Sequence, residues 1–548
     1  MIRNVACEIN FIGGIGTIEM CNRLKASTTP TIETELNRTF PFAATQIHRR
    51  SDWLATVKGY SKYVWDFETN GSENWYGRNQ SFGQLSIYSG RDSNGIVTAE
   101  ASGVGYDGYD WTHIPGTTVP NLSLAEVLAD AKNFQWPRFS NEAFASGVTD
   151  GKNGAYGFKF SDRTKGQSSS TWVKPKLTAL KSYFFFDDLI VALGSDIDNT
   201  TSSYDTHTTI FQNLLPSPDT PIQINGENIT GLSYSQDLTT ERPATLTDIA
   251  GNGYYIANAK GLHIQRSTQE SMDDKNKNAT SGDYATVWIN HGSQINNGTY
   301  EYAVWVRGGE YISELASDPD KFYIIERQDN IAHIVTHGQT KGLTIFTENT
   351  DIEDKYIHQT SEPCLIWIDS ENEDISLTVA NPDLGYYEKG NEFGQFPIQA
   401  WSVPASKQYL ESEIEPVEVI INGKWDILDT NEKVENQGYD PANNTTTLRF
   451  NGINAESLSV KLSPLNTGID FFSKENNISV YPNPTTGKLF IDLAQPIESN
   501  IRITDISGRE VLSIPVNNRK NISIDLSTLN SGHYLVIIGK TVKQIIKK

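Results

Sequence analysis

The sequence predicts an almost wholly β chain, with a large antiparallel super-sandwich, a smaller β-domain and a small C-terminal β-sandwich in that order. Three observations carry the expectation. Short apolar runs rich in β-branched and aromatic residues recur along most of the chain. Gly, Asn, Asp and Pro punctuate them, with 42 glycines and 10% aromatic residues in 548. Long amphipathic helical periodicity is scarce. This length accommodates roughly two to four domains with sizeable cores.

Residues 1–35 read as an irregular segment. Gly13-Gly14-Ile15-Gly16 lacks the strand–turn–helix context and the third glycine of a dinucleotide site. From 36 to 320 strand-like runs crowd together, among them WLATVKGYSKYVW (53–65), GQLSIYSG (83–90), GYYIANAKGLHIQR (253–266), YATVWINHG (284–292) and TYEYAVWV (299–306). This density predicts a sandwich of antiparallel sheets. A β-hairpin is expected over 181–197, with Tyr183–Phe186 and Leu189–Leu193 as strands, Asp187-Asp188 as the two-residue turn and Gly194 as the end of the second strand. Residues 121–134 are the best helix candidate, with Ser123 as the cap. A further β-rich block over 321–468 reads as a smaller domain or as the continuation of the sandwich. Its runs include FYIIER, AHIVTH, LTIFTE, CLIWID, ISLTVAN, VEVIING and TTTLRF. The last unit, 469–548, holds seven short strands and a basic end, which predicts a small sandwich.

Composition narrows the chemistry. A formal net charge of −22 argues against a nucleic-acid partner, because phosphate contacts need clustered Lys and Arg. It still permits an anionic polysaccharide held in a local basic cleft. Cys7, Cys21 and Cys364 form neither a disulfide framework nor a CxxC zinc pair, and Cys364 in CLIWI reads as a buried small hydrophobe. GxSxG, HExxH, Walker and EF-hand patterns are all lacking. No cofactor is expected. Asp187-Asp188 offers two carboxylates where calcium wants about six to eight oxygens, so calcium is left open rather than assigned. No apolar run approaches the ~20 residues of a membrane span.

Several stretches carry a resemblance. FPFAATQIHRRSDWLATVKGYSKYVWDFETNGSENWYGRNQSFGQL (40–85), GYDWTHIPGTT (108–118), KSYFFFDDLIVALGSDI (181–197), GNGYYI (251–256) and WINHGSQINNGTYEYAVW (288–305) resemble, in this order, the β-portion of polysaccharide lyase family 8. These are the hyaluronate and chondroitin lyases, and the chondroitin ABC branch is the nearest. The resemblance covers roughly 36–460 and implies β-elimination at a uronic acid of an acidic glycosaminoglycan. A His and a Tyr would move the proton, an Arg would assist at the cleaved bond, and a β-domain Glu would hold the constellation together. Glu73 in NGSEN matches that Glu and is the expected catalytic residue. Asn74 and Arg78 are the expected substrate contacts, with the Arg78 fork suited to carboxylate or sulfate. The residues alone allow a plainer role, a turn whose carboxylate bonds backbone or Arg78. His113 and His291-Gly292 read as turn positions, and His48, Tyr60 and Tyr63 as strand residues without catalytic roles.

The 469–548 unit is similar to the C-terminal sorting domain of type IX secretion. The resemblance rests on YPNPTTG (481–487), DISGR (505–509), Leu526 to Gly532 with Tyr534, and the basic tail. It implies the type IX machinery as a partner and a secreted or surface location. The first twenty residues do not read as a signal peptide, since Glu8 interrupts the apolar stretch. Only 72 residues precede Glu73, too few for the family's helical catalytic toroid. The expectation is therefore a truncated lyase. Its alternative is an inactive fragment that at most binds carbohydrate.

Overall fold

A computed structural model describes residues 35–548 apart from 68, 70–72, 134–137, 163–164, 167–175, 386–415, 430, 466–477, 494–499, 507, 516–520 and 539–540. The expectations placed on residues 1–34, including Cys7, Cys21 and the Gly13–Gly16 run, fall outside the described residues. The chain forms two compact units, residues 1–464 and 465–548.

In the first unit a nine-stranded antiparallel sheet is the central layer, and the 181–197 hairpin lies inside it. Strand Leu177–Phe186 pairs with Leu189–Asn199, with Phe186 opposite Leu189, so Asp187-Asp188 is the two-residue turn. Asp187 takes φ +49, a left-handed conformation that Asp tolerates in tight turns. The runs YFFF and LIVAL are continuous rather than alternating because both faces of this sheet are buried. Tyr183, Phe185, Ile190 and Ala192 face a core shared with Phe211, Ile264, Val287 and Ile289 of a five-stranded sheet. A four-stranded sheet over 36–88 adds Trp53, Ala55, Val57 and Leu85 to that core. Phe184, Phe186, Val191 and Leu193 face the other way, onto Val335, Leu365 and Trp367 of a seven-stranded sheet. That sheet in turn packs its far side, with Ile334, Ile366 and Leu377, against Val419, Ile421 and Leu448 of another four-stranded sheet. The result is one continuous stack of β layers.

Three local expectations are corrected. Gly194 does not end its strand, which continues to Asn199. A glycine is needed there because a Cβ would lie 2.1 Å from the Tyr300 ring on the neighbouring strand. His291 sits inside the strand Ala279–Ser293, not at a turn. Of 53–65 only Trp53–Lys58 is strand. The chain leaves it where Tyr60, 1% exposed, turns inward to donate to the Ser161 carbonyl at 2.5 Å.

Among the described residues α-helix is confined to Leu124–Asn133 and Ile312–Ser317. The first is capped as its sequence foretells. The Ser123 amide donates to Glu126 Oε2 at 2.8 Å, and the Glu126 amide returns a bond to Ser123 Oγ at 3.3 Å. This is the reciprocal box that satisfies donors at a helix start. No described helix is long and apolar enough to cross a membrane. In the second unit a three-stranded and a four-stranded sheet enclose Leu489, Ile491, Ile503, Ile524 and Val536. Cys364 is fully buried and free, and burial pushes its thiol up to about 12.

Candidate active site

The segment 73–82 is a strap tied down at several points. Glu73 is exposed. Asn74 follows in the left-handed region at φ +56, a conformation Asn adopts more readily than other side chains. Its amide folds back over Gly77, where a Cβ would meet Asn74 Oδ1 at 2.5 Å. Gly77 therefore holds Asn74 in place by lacking a side chain. The Trp75 amide donates to the Asp274 carbonyl at 2.8 Å, and Tyr76 Oη donates to Asn276 Oδ1 at 2.7 Å. Both anchors belong to the turn between strands Leu262–Met272 and Ala279–Ser293.

Arg78 is the main anchor. It is 3% exposed, and its Nε donates to Asp130 Oδ2 at 3.0 Å. Its Nη2 donates to both oxygens of Asp162, at 3.0 and 2.8 Å, and its Nη1 to Asn79 Oδ1 at 2.8 Å. The guanidinium also lies 5.4 Å from the centre of the Phe82 ring. One side chain thus joins the strap to the capped helix and to the end of strand Gly154–Ser161. The sugar contact expected of Arg78 gives way to this geometry, because its fork is turned inward onto two carboxylates. Asp130 and Asp162 went unnoticed in the sequence. They lie 52 and 84 residues away, and only the helix around Asp130 had a local signature.

Downstream of the strap, Lys181 is fully buried and donates to the carbonyls of Phe82 (3.1 Å) and Gly116 (2.6 Å). Tyr183 Oη reaches the carbonyls of Gly83 and Gly116 at 2.7 and 3.0 Å. The central hairpin therefore fixes both the end of the strap and the 111–118 loop. Burial holds the Lys181 ammonium well below the ordinary lysine range.

The imidazoles and phenols singled out in the sequence are each hydrogen-bonded within the fold. His48 is fully buried, donates to the Asp187 carbonyl at 2.7 Å and is pulled down to about 3 by burial and the nearby Arg50 charge. Tyr63 donates to Asp383 Oδ1 at 2.7 Å. His113, 6% exposed, donates to Asp110 Oδ2 at 2.7 Å and bonds His207 at 3.0 Å, with its ring 4.3 Å from that of Trp288. Burial opposes ionisation of Asp110. The His113 charge and the bonds from His113 and Thr112 outweigh it and bring the carboxyl down to about 2. His291 bonds Thr208 Oγ1 at 2.8 Å, and burial lowers it to about 4. Asp187 and Asp188 are engaged by Arg50 and by the Trp53 indole. Among the described residues no three His, Cys, Asp or Glu side chains converge as metal ligands would.

The family model for polysaccharide lyase family 8, super-sandwich domain, matches residues 35–309, which include the strap and the central hairpin. The chain belongs to polysaccharide lyase family 8. A secretion system C-terminal sorting domain matches residues 479–548. Chondroitin sulfate ABC endolyase of Proteus vulgaris is 28% identical over 425 residues, covering 76% of this chain and 38% of the relative. Chondroitin sulfate ABC exolyase of Bacteroides thetaiotaomicron is 30% identical over 409 residues, covering 72% and 38%. The chain thus spans 38% of the length of both family 8 relatives. Among solved structures, a Streptomyces coelicolor chondroitin AC lyase in complex with chondroitin sulphate superposes with a TM-score of 0.60 at 17% identity, over 82% of this chain and 53% of that one. A Paenibacillus xanthan lyase gives 0.63 at 17%, over 97% and 52%. At such identities these likenesses establish the fold alone, an all-β family 8 architecture without a helical toroid among the described residues.

Proposed function

We propose that this chain is the β-portion of a lyase that degrades an acidic glycosaminoglycan of chondroitin, dermatan or hyaluronan type by β-elimination. The observation that carries this reading is an exposed carboxylate, Glu73, on a strap whose backbone is braced by buried bonds. In such an elimination a base takes the C5 proton of the uronate, the C4–O4 bond breaks, C4 and C5 become doubly bonded, and the leaving O4 receives a proton. A carbon acid this weak needs groups held in place before reaction. Glu73 would supply one of them, orienting a His or Arg of a helical partner domain by a charge-assisted bond. Asn74 would sit beside the sugar, and Arg78 would position both without touching it. The C-terminal sorting domain supports export through type IX machinery to the exterior or the cell surface.

The burial of His48 and Tyr60 favours a second reading of the isolated chain, as a carbohydrate-binding β-module without turnover. The test is the ultraviolet absorbance of unsaturated uronate on chondroitin and hyaluronan, measured for the 548-residue chain alone and with a family 8 helical domain added in trans. The expected result is product only with the added domain, and a Glu73→Gln loss of about 10- to 100-fold in kcat with little change in KM. Product from the chain alone, or unchanged turnover in Glu73→Gln, would overturn the assignment.

A further inference from the structure

The four-stranded sheet that opens the first unit turns one face to the core and the other outward. Its strands are Leu36–Phe40, Thr45–Arg50, Trp53–Lys58 and Gln84–Tyr88. Side chains alternate between the faces, so Ala55, Val57 and Leu85 enter the core. The outer face is three rungs of four residues, from the rung of Leu36 and Tyr88 to the rung of Phe40 and Gln84. None of these twelve residues is buried.

On a chain of net charge −22 this face carries three cations, Arg38, Arg49 and Lys58, and no Asp or Glu. Arg49 is already engaged. Arg38 is exposed, with its guanidinium 5.5 Å from the centre of the Phe40 ring. Lys58 is half-buried and donates to the Gly59 carbonyl at 2.6 Å. Among the described residues neither Arg38 nor Lys58 forms an ion pair. Burial lowers the Lys58 ammonium to about 8, with Asp66 acting against it, so it stays charged at neutral pH. At the rim beyond Leu54 and Tyr88, Arg91 and Arg307 share the single carboxylate of Asp52 at 2.8 and 2.7 Å, which leaves a further positive charge.

Arg38 and Lys58 stand two strands and two residues apart, which puts their Cα atoms about 12 Å from each other. That is comparable with the spacing of successive uronates in a polymer alternating hexuronate with hexosamine. Between them lie Ile47, Thr45 and Thr56, short side chains on a flat surface. An isoleucine suits the C–H face of a pyranose, and threonine hydroxyls suit its hydroxyls. A flat face with separated cations fits a polymer better than a small anion, which needs its donors gathered at one point. A local basic surface on an acidic protein also draws a polyanion to itself from solution. Lys58 is at the strap end of the face, where the Gly83 amide donates to its carbonyl at 3.0 Å.

We propose that the outer face of this sheet is a platform that holds an acidic polysaccharide on Arg38 and Lys58 and leads it toward the Glu73 strap. The choice of polymer rests on the lyase reading, whereas the platform itself requires only carboxylates or sulfates spaced along a chain. It grips sugars away from the bond that breaks, so it acts on KM and leaves kcat unchanged.

The experiment titrates the 548-residue chain with labelled oligosaccharides of chondroitin sulfate, of hyaluronan and of neutral dextran. Both acidic oligosaccharides are expected to bind in the micromolar range and to weaken as salt rises, with dextran at least about tenfold weaker. Arg38→Gln is expected to weaken binding about threefold, Lys58→Gln about fivefold and the double variant about tenfold or more, while Lys58→Arg retains it. Thermal melts check that each variant folds, and Lys321→Gln, at an exposed lysine elsewhere, serves as the control. The lysine-rich end of the chain is the competing cationic stretch. Unchanged affinity in the double variant would put the polysaccharide there and overturn the platform, as would dextran binding equally well. A double variant that binds polysaccharide normally but no longer takes up the helical domain in trans would make the face a domain interface and overturn the platform too. The lyase reading is judged separately by unsaturated product. Polysaccharide binding with no product in the restored enzyme would leave the platform standing and the lyase reading refuted, and product with an unchanged KM in the double variant would do the reverse.

Discussion

Replacing Arg78 tests whether the strap is held by one buried ion network. Arg78 is 3% exposed, and the side chains of Asp162 and Asp130 are 6% and 11% exposed. Arg78→Ala would leave two largely buried carboxylates without their cation, a change that costs about 3–5 kcal/mol in comparable buried pairs. The loss is expected locally, at the strap's ties to the 273–278 turn through the Asp274 carbonyl and Asn276 Oδ1. At about 1.4 kcal/mol per factor of ten, it corresponds to roughly 10²- to 4 × 10³-fold faster amide hydrogen exchange at Trp75 and Gly77. Arg78→Lys keeps the charge but gives up the paired bonds to Asp162, and is expected to lose about half as much. Arg78→Met with Asp130→Asn and Asp162→Asn removes all three charges, and is expected to recover most of the protection. Hydrogen exchange read by mass spectrometry resolves the strap from the sheets. A change below tenfold in Arg78→Ala, or Arg78→Lys behaving as wild type, would refute the claim that this network holds Glu73 in place.

Three further outcomes follow from the same structure. Gly77→Ala is expected to push the Asn74 amide out of its seat and cost about 1–3 kcal/mol locally, seen as exchange at 73–77 comparable to that in Arg78→Lys. His333 is fully buried between Ser182 and Ser195, and burial lowers it from 6.5 to about 3. The unfolded chain takes up a proton below pH 6.5 that the folded chain refuses until about pH 3. Stability is therefore full above 6.5 and falls by about 1.4 kcal/mol per pH unit as pH drops through that window. His333→Gln is expected to flatten this slope by that amount in denaturant titrations at pH 7, 6 and 5, and an unchanged slope would count against it. Finally, residues 479–548 fused to a reporter with a signal peptide are expected to carry it out of a host with type IX machinery, whereas a reporter retained in the periplasm would contradict the export reading.

The hairpin 181–197 was legible because local rules decide it. Two apolar runs, two turn residues and burial on both faces agree. The cap at Ser123 was legible for the same reason, since its partner is three residues away. Gly194 misled because a glycine inside a strand looks like a terminator until the Tyr300 ring from another strand is known to lie over it. His291 misled in the same manner, since His-Gly resembles a turn when the register to Thr208 is invisible. For Arg78 the residue was noticed and its direction was not. Whether a guanidinium faces a ligand or two distant aspartates depends on pairings 52 and 84 residues apart, which no local pattern encodes.

The central nine-stranded sheet has a bearing on how this protein can be divided. The family match ends at residue 309, yet the wall that Phe184, Phe186, Val191 and Leu193 lean on is made of Ile312, Leu315, Val335, Leu365 and Trp367. A piece cut at 309 would bare those side chains to water at roughly 1.5–3 kcal/mol each. A piece ending at 309 would expose a half-layer, whereas the first compact unit, which runs to Pro464, keeps both faces of the central sheet covered.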